Sequence, residues 1–252
     1  MARNILILGG TTEARALAEA LAPCADFSAV ISLAGRTAKP LAHTVPMRVG
    51  GFGGVPGLAA WLTQHRTAAL IDATHPYAAR ISANAAEAVS ITGIPLLALR
   101  RPAWPSVPGD RWTSVASAAE AAAALGAVPR RVFLALGRQE LRPFEAAPQH
   151  DYLIRSVDPV DPPLALPHAR YVTERGPFDP DSETAMLAAH GIDAVVAKNS
   201  GGTATYGKIA AARALGIQVF LLRRPDLPQV PGVATVNAVL AWLDHVVARR
   251  GV

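Results

Sequence analysis

Short apolar runs typical of buried strands alternate with longer helical patterns along the 252-residue chain. The first half predicts strands at residues 4–8, 29–33, 48–49, 68–73 and 95–99, and helices at 12–21, 55–65 and 77–89. The second half predicts strands at 131–136, 152–157, 170–173, 194–197 and 217–222, and helices at 117–125, 182–190, 206–215 and 235–249. Because strands linked through helices pair in parallel, the sequence predicts an α/β protein with parallel sheets flanked by helices.

The helical pattern breaks at residues 126–130, where glycine and proline interrupt it. A chain of this length is long enough for two modest α/β lobes. The break therefore predicts an N-terminal lobe at 1–127 and a C-terminal lobe at 128–252.

Composition narrows the class of protein. Hydrophobic residues make up 51% of the chain, which favours a packed core over disorder. The net charge of +5 is spread out, with no basic run longer than two residues, so it suits a polyanionic small molecule better than nucleic acid. The single cysteine excludes an internal disulfide, and the seven scattered histidines give no sign of a metal site. No apolar run reaches the length of a membrane span and no signal segment is evident, so we expect a cytoplasmic protein without a membrane partner.

A glycine turn follows the first predicted strand and opens the first predicted helix. Such a helix start presents free backbone N–H groups and the positive end of the helix dipole to a phosphate. We therefore expect a nucleotide cofactor to be bound here by Gly9, Gly10, Thr11, Thr12 and Glu13. The segment lacks two glycines of the G-x-G-x-x-G pattern, so the alternative is an ordinary tight turn with a threonine cap.

Ser32, Arg36 and Thr37 lie at the end of the second predicted strand and just beyond it. At this point an acidic residue binds the ribose 2′-hydroxyl of NADH, whereas an arginine accommodates the 2′-phosphate of NADPH. No Asp or Glu occurs between Asp26 and Asp72. The sequence therefore predicts NADPH as the cofactor, with the alternative that Arg36 is a solvated loop residue.

A dense group of polar residues follows the strand at 68–73, at the sheet edge where open α/β proteins bind ligands. We assign Thr74 to the cofactor, and Asp72, His75 and Tyr77 are candidates for a proton donor. His75 is preferred because imidazole titrates near neutrality. The alternative is a helix start capped by Asp72 or Thr74, with Pro76 in its first turn.

A second glycine-containing turn follows the strand at 194–197 and holds two of the three lysines. Its backbone N–H groups can bind an anion. We expect substrate contacts from seven residues of this segment: Lys198, Asn199, Ser200, Gly201, Gly202, Tyr206 and Lys208. The spacing fails the P-loop pattern because an isoleucine follows Lys208, so a kinase or ATPase is not indicated.

Three segments together resemble the precorrin-6A reductase family: ILILGGTTEARALA, DATHPYAARISANA, and KNSGG followed by TYGKIAAARALGI. They occur in the family's order, and the resemblance spans most of the chain apart from about residues 101–180. It implies two Rossmann-like lobes with the active site in the cleft between them. It also implies cofactor contacts at Gly10, Thr11, Thr12 and Arg36, and a ligand contact at the KNSGG turn.

The resemblance further implies an activity. Members of the family use NADPH to reduce one carbon–carbon double bond of the precorrin-6A macrocycle, giving precorrin-6B in cobalamin (vitamin B12) biosynthesis. The N-terminal lobe would bind NADPH, and the C-terminal lobe would bind the carboxylate-rich tetrapyrrole, either alone or together with part of the cofactor. The alternatives are an NADPH-dependent reductase of another substrate, a non-catalytic nucleotide sensor, and a sugar-nucleotide transferase without affinity for NADPH.

Overall fold

The computed structural model describes residues 2–35 and 41–248. The first part of the chain forms β1 (Arg3–Leu8), α1 (Thr12–Leu21), β2 (Phe27–Leu33), β3 (Met47–Val49), α2 (Gly54–Gln64), β4 (Thr67–Asp72), α3 (Ala79–Thr92) and β5 (Leu96–Leu99). The bounds of α1 match the prediction at both ends. The helix begins there because the hydroxyl of Thr11 accepts a hydrogen bond from the Ala14 N–H.

The second part forms β6 (Trp112–Val115), α4 (Ala118–Ala124), β7 (Arg131–Ala135), β8 (Asp151–Ser156), β9 (Ala169–Thr173), α5 (Pro180–Ala189), β10 (Ala194–Lys198), α6 (Gly207–Ala214), β11 (Gln218–Leu222), β12 (Gly232–Val233) and α7 (Val236–Ala248). Two short 3-10 helices, Arg138–Glu140 and Arg142–Ala146, follow β7. The sequence did not predict β6 or β12, because both are short and largely lack the buried apolar residues that identify a strand. None of the described helices is both long and apolar enough to cross a bilayer.

The chain folds into two compact units, each with one parallel six-stranded sheet. Unit 1 comprises residues 1–102 and 225–252, and its strand order is β12-β5-β4-β1-β2-β3. Unit 2 comprises residues 103–224, with the order β6-β11-β10-β7-β8-β9. The predicted α/β class with parallel sheets flanked by helices is confirmed. In both units five of the strands follow the 3-2-1-4-5 order of the Rossmann fold.

The division differs from the predicted boundary between residues 127 and 128. After the fifth strand of unit 1 the chain passes to the edge strand of unit 2, and after β11 it returns to add β12 and α7 to unit 1. Val239 and Leu243 of α7 are fully buried in the core that also contains Ile7 and Leu17. The Gly and Pro break at 126–130 marks only the end of α4. The return of β12 and α7 to unit 1 was not predicted, because pairing with a sheet distant in the sequence leaves no local signal.

Helices cover both faces of the sheet in unit 1. Ile5 and Ile7 of β1 pack in a core with α1 and α7, whereas Leu6 and Leu8 pack with α2 and α3. Successive side chains of a strand point to opposite faces of the sheet, so both faces of β1 are buried under helices. Because all six strands are parallel, the loops that follow β1, β2, β3, β4 and β5 meet at one edge of the sheet.

Candidate active site

The predicted cofactor turn and the DATHPYA segment meet at the point of unit 1 where the strand order reverses. Strands β1 and β4 are direct neighbours there, with Leu8 paired to Asp72. The Ala73 N–H donates to the Leu8 carbonyl at 2.9 Å, and the Thr11 hydroxyl donates to the Ala73 carbonyl at 2.8 Å. Crevices at such reversal points are the usual ligand sites of open α/β sheets.

The glycine turn leaves open space at one position. Gly10 has a φ of +116°, which disfavours any side chain, and a Cβ built there would meet no atom within 4 Å. At Gly9 a Cβ would come within 2.8 Å of the Ile31 side chain, so that glycine serves packing between strands. Gly10 is therefore the position in this turn where a ligand can approach the backbone closely.

The side chains that begin α1 are already engaged. The Thr11 hydroxyl uses its proton on the Ala73 carbonyl and accepts from the Ala14 N–H. The Thr12 hydroxyl donates to Glu13 at 3.1 Å, and Glu13 forms an ion pair with Arg101. The first-turn N–H groups of a helix have no acceptor within the helix. The backbone is therefore better placed than the Thr11 hydroxyl to bind a phosphate.

Asp72 holds the turn that follows β4. Its carboxylate is 2% exposed and accepts from the Thr74 N–H at 3.2 Å and from the hydroxyls of Thr74 and Ser82 at 2.6 Å each. One oxygen also lies 3.5 Å from a guanidinium nitrogen of Arg100. Because donors surround both oxygens, Asp72 is not placed to give a proton to a ligand. This corrects its prediction as a proton donor and makes it a positioning residue.

His75 and Tyr77 are half-buried and lie in the turn before α3, since the helix begins at Ala79 and not at Tyr77 as predicted. The Ala78 N–H closes this turn on the His75 carbonyl at 2.8 Å. The Tyr77 N–H donates to Nδ1 of His75 at 3.3 Å, and the two rings lie 5.6 Å apart. Because Nδ1 accepts this bond, the neutral imidazole carries its proton on Nε2.

The ends of β2 and β3 bring Ser32 together with an arginine that the sequence analysis did not single out. Ser32 pairs with Arg48 in the register of the two strands, and its hydroxyl accepts from Arg48 Nη1 at 3.2 Å. Arg36 and Thr37 lie outside the described residues. The prediction of NADPH used the lack of acidic residues between Asp26 and Asp72, and the same lack was a signal that an arginine such as Arg48 could bind an anion there.

In unit 2 the predicted substrate turn follows β10, next to the loop after β7. The ammonium of Lys198 forms an ion pair with Glu140 at 2.5 Å. A Cβ at Gly137, after β7, would come within 2.5 Å of the other carboxylate oxygen of Glu140. A carboxylate thus fills the space over Gly137, whereas the space over Gly10 is open, so a phosphate is disfavoured at the turn that follows β7.

The Asn199 side chain holds the protein backbone. Its Oδ1 accepts from the Trp104 N–H at 2.8 Å, and its Nδ2 donates to the Trp104 carbonyl at 3.1 Å. The Trp104 indole N–H donates to the Gly202 carbonyl at 2.7 Å, and Arg224 binds the carbonyls of Asn199 and Ser200. These bonds fix the turn. The predicted substrate contact by the Asn199 side chain is corrected to a positioning role.

The glycines of this turn remain candidates for an anion site. Gly201 and Gly202 have φ values of +69° and +71°, so the backbone follows a course that favours glycine twice in succession. Ser200, beside them, is buried, and its N–H donates to the Lys198 carbonyl at 2.8 Å. The predicted contacts of Lys198, Ser200, Gly201 and Gly202 with substrate stay predictions.

Tyr206 and Lys208 point into unit 2. Arg213 donates to the Tyr206 hydroxyl, and the ring lies 5.5 Å from that of Trp104. Lys208 is 5% exposed, and its ammonium donates to the Thr205 carbonyl at 2.6 Å. A lysine buried in this way does not reach a ligand at the turn, so its prediction as a substrate contact is corrected. Among the described residues, no three His, Cys, Asp or Glu side chains form a group that could hold a metal.

The strand order and the polar loops at the sheet edge define an α/β protein of the Rossmann type. The family model "Precorrin-6x reductase CbiJ/CobK" matches residues 4–244. The precorrin-6A reductase of a Sinorhizobium species is 56% identical over 242 residues, covering 96% of this chain and 93% of that protein. The precorrin-6A reductase of Rhodobacter capsulatus is 51% identical and covers 99% of both chains. A solved structure of CobK precorrin-6A reductase has a TM-score of 0.93 at 50% identity and covers 97% of both chains.

The chain therefore belongs to the precorrin-6x reductase family CbiJ/CobK.

Proposed function

We propose that this chain catalyses the NADPH-dependent reduction of one carbon–carbon double bond of precorrin-6A, giving precorrin-6B in cobalamin biosynthesis. The relatives described above carry the name of this activity. The observation in the chain itself that supports it most is the open turn at Gly10, which lies beside the His75 turn at the strand-order reversal of unit 1. A nucleotide bound at this turn would lie at the same sheet edge as His75, the proposed proton donor.

The residues at this edge fit a dinucleotide. The pyrophosphate would lie against Gly10 and the N-terminal N–H groups of α1, where the helix dipole favours an anion. The adenosine ribose would lie toward the ends of β2 and β3, near Ser32 and Arg36, as in other sheets of this order. NADPH, when bound, supplies the hydride. Thr74, held by Asp72, would border the cofactor on the β4 side.

Reduction of a double bond also needs a proton at the neighbouring carbon. In the His75 turn the Tyr77 N–H holds Nδ1, which leaves Nε2 as the nitrogen that donates. The Nε2–H of the neutral ring would hydrogen-bond the substrate or a bridging water and orient it. To give a proton, the ring would first take one up at Nδ1 in place of the Tyr77 contact, and the imidazolium would then pass its Nε2 proton on and return to the neutral form. The buried Asp72 carboxylate fixes the start of this turn through its hydrogen bonds with Thr74.

Replacing His75 by alanine is expected to lower kcat by roughly a hundredfold or more, because general acid catalysis contributes about 10²–10⁴-fold. The dissociation constant of NADPH should stay unchanged. Steady-state kinetics at several pH values, together with a fluorescence titration of NADPH, would measure both. Tyr77→Phe tests the other candidate donor, since it keeps the ring beside His75 and removes only the hydroxyl, and it should keep the wild-type kcat if His75 supplies the proton. A His75→Ala enzyme with wild-type kcat across the pH range would show that water or the substrate supplies the proton.

Replacing Lys198 by alanine is expected to raise KM for the macrocycle about tenfold or more, with a smaller change in kcat. We reason that the ammonium exchanges Glu140 for a carboxylate arm of the substrate, an interaction equal in ground and transition states. Glu140→Gln removes the negative charge that competes with the substrate for this ammonium and should lower KM. Steady-state kinetics with the macrocycle as the varied substrate measure both effects. An unchanged KM in both variants would show that this pair takes no part in binding.

The function itself is tested by NADPH oxidation. We expect the purified protein to oxidise NADPH when precorrin-6A is added and to leave NADPH unchanged without it. The alternative, a reductase of another substrate, predicts NADPH binding without oxidation in the presence of precorrin-6A. A chain that binds no NADPH would exclude both.

A further inference from the structure

The guanidinium of Arg48 is fixed in one orientation at the end of β3. Nη1 donates to the Ser32 hydroxyl at 3.2 Å and to the Gly50 carbonyl at 2.6 Å, and Nη2 donates to the Gly51 carbonyl at 2.6 Å. The central carbon of the group lies 3.8 Å from the centre of the Phe52 ring. A cation held by three hydrogen bonds and a ring has already lost the side-chain freedom that binding would otherwise cost.

No carboxylate among the described residues neutralises Arg48. Three other cations at the carboxyl edges of the two sheets have such a partner: Arg100 lies beside Asp72, Arg101 pairs with Glu13, and Lys198 pairs with Glu140. Burial alone lowers the pKa of the Arg48 guanidinium, with no acidic residue to oppose it. A guanidinium stays charged at neutral pH, so this half-buried site holds one uncompensated positive charge.

The charge of Arg48 lies where a Rossmann-type sheet would bind the adenosine ribose of a dinucleotide. In sheets of the 3-2-1-4-5 order the ribose of the adenosine lies beyond the end of the second strand, where the 2′-position is read. Arg48 reaches that point, because it hydrogen-bonds Ser32 at the end of β2. Three hydrogen bonds tie the fork to Ser32, Gly50 and Gly51, and its remaining N–H donors can bind an anion.

We infer that Arg48 binds the 2′-phosphate of the cofactor and selects NADPH over NADH. This inference rests on the proposed function, and it gives the selection to a residue of β3 in addition to Arg36. Ser32 and the carbonyls of Gly50 and Gly51 act as positioning groups that keep the fork aimed at the ribose. The Phe52 ring packs against the guanidinium and supports it.

The test compares two ligands that differ only in the 2′-phosphate, adenosine 2′,5′-bisphosphate and 5′-AMP, by titration calorimetry. Arg48→Met removes the charge and keeps an apolar side chain over Phe52. The variant should bind the bisphosphate about ten- to a hundredfold more weakly, the usual effect of losing a charged hydrogen bond. Its affinity for 5′-AMP should stay within about twofold of the wild-type value. Arg48→Lys keeps the charge but lacks the forked guanidinium, so its affinity for the bisphosphate should lie between those of the wild type and Arg48→Met. Arg3→Met is the matched control, because Arg3 begins β1 at the opposite edge of the sheet.

Each outcome decides one question. If the wild-type protein prefers the bisphosphate and Arg48→Met keeps that preference, the inference is overturned while the proposed function stands. Equal weakening of both ligands would also overturn it, since Arg48 would then only shape the Gly50–Gly51 turn. If the wild-type protein binds neither these ligands nor NADPH, the proposed function fails first. Should Arg48→Met not fold, Arg48→Lys decides, because loss of its fork must still reduce the ratio of the two affinities.

Discussion

Replacing Gly10 by valine is expected to abolish NADPH binding in a protein that stays folded. The Cβ at this position would project into open space at the end of β1, where we place the pyrophosphate. A β-branched side chain there would occupy that space and block the close approach of phosphate to the backbone. We expect a loss of more than about a hundredfold in affinity, the equivalent of several kcal/mol.

Backbone strain alone would not explain such a loss. A side chain at a φ of +116° costs roughly 1–3 kcal/mol, which is less than the usual stability of a folded domain. Gly93→Val is the matched control, since Gly93 also has a positive φ, +68°, and a Cβ there would meet no atom within 4 Å, but it lies at the end of α3. Thermal unfolding of both variants and NADPH titration separate the effects. A folded Gly10→Val protein with wild-type affinity would place the cofactor elsewhere.

The second large effect concerns a buried charge cluster in unit 2. Arg155 and Glu183 form a two-pronged ion pair, both almost fully buried, and Lys208 lies near them, 5.4 Å from the Trp104 ring. Burial, and after it the charge of Arg155, lowers the pKa of Lys208 to about 7, against an opposing effect of Glu183. The cluster therefore holds an amine that is partly uncharged at neutral pH.

This shift makes stability depend on pH in a defined direction. An amine in the unfolded chain titrates near pH 10.4, so between about pH 7 and 10.4 the unfolded chain holds a proton that the folded chain has released. The free energy of unfolding thus rises with pH across this window, and the penalty for burying the lysine is greatest below it. Lys208→Met should remove the penalty and stabilise the protein by on the order of 1–4 kcal/mol near pH 6.

Thermal unfolding of the wild type and the Lys208→Met variant from pH 6 to 10 measures this effect. The variant should unfold several degrees higher at pH 6, and the difference should shrink toward pH 10. Arg142→Met is the control, because the Arg142 side chain is 90% exposed and its loss removes the same charge without a change in burial. A difference between wild type and Lys208→Met that does not vary with pH would mean that the buried amine keeps its ordinary titration.

The elements of the fold that the sequence predicted are those with strong local signals. Strands β1 and β4 are largely apolar runs. Helix α1 has apolar residues at helical spacing and the capping residue Thr11. Strands β6 and β12 gave no signal, because an edge strand needs little apolar burial of its own. The units were divided wrongly at residue 127 for a related reason: α7 shows an apolar face, but the pattern does not say which sheet that face covers.

The candidate site divides in the same way. Positions after strands could be predicted, because parallel strands all end at one edge. The direction of each polar side chain could not, and Asp72 and Asn199 proved to hold backbone rather than to face a ligand. For Lys208 one signal was available, since α6 is nearly all small or apolar, a composition typical of a helix buried on most sides. Arg48 was not predicted because its role depends on a contact with Ser32 on the neighbouring strand, and that contact is not visible in the local sequence.

The most direct test of the proposed activity follows the hydride. Precorrin-6A is incubated with the protein and NADPH that carries deuterium at the transferable position of the nicotinamide, and the mass of the macrocycle is then measured by mass spectrometry. We predict a macrocycle reduced at one double bond that carries one deuterium, with an equal amount of NADP⁺. An unreduced macrocycle, with the NADPH still present, would contradict the proposed function.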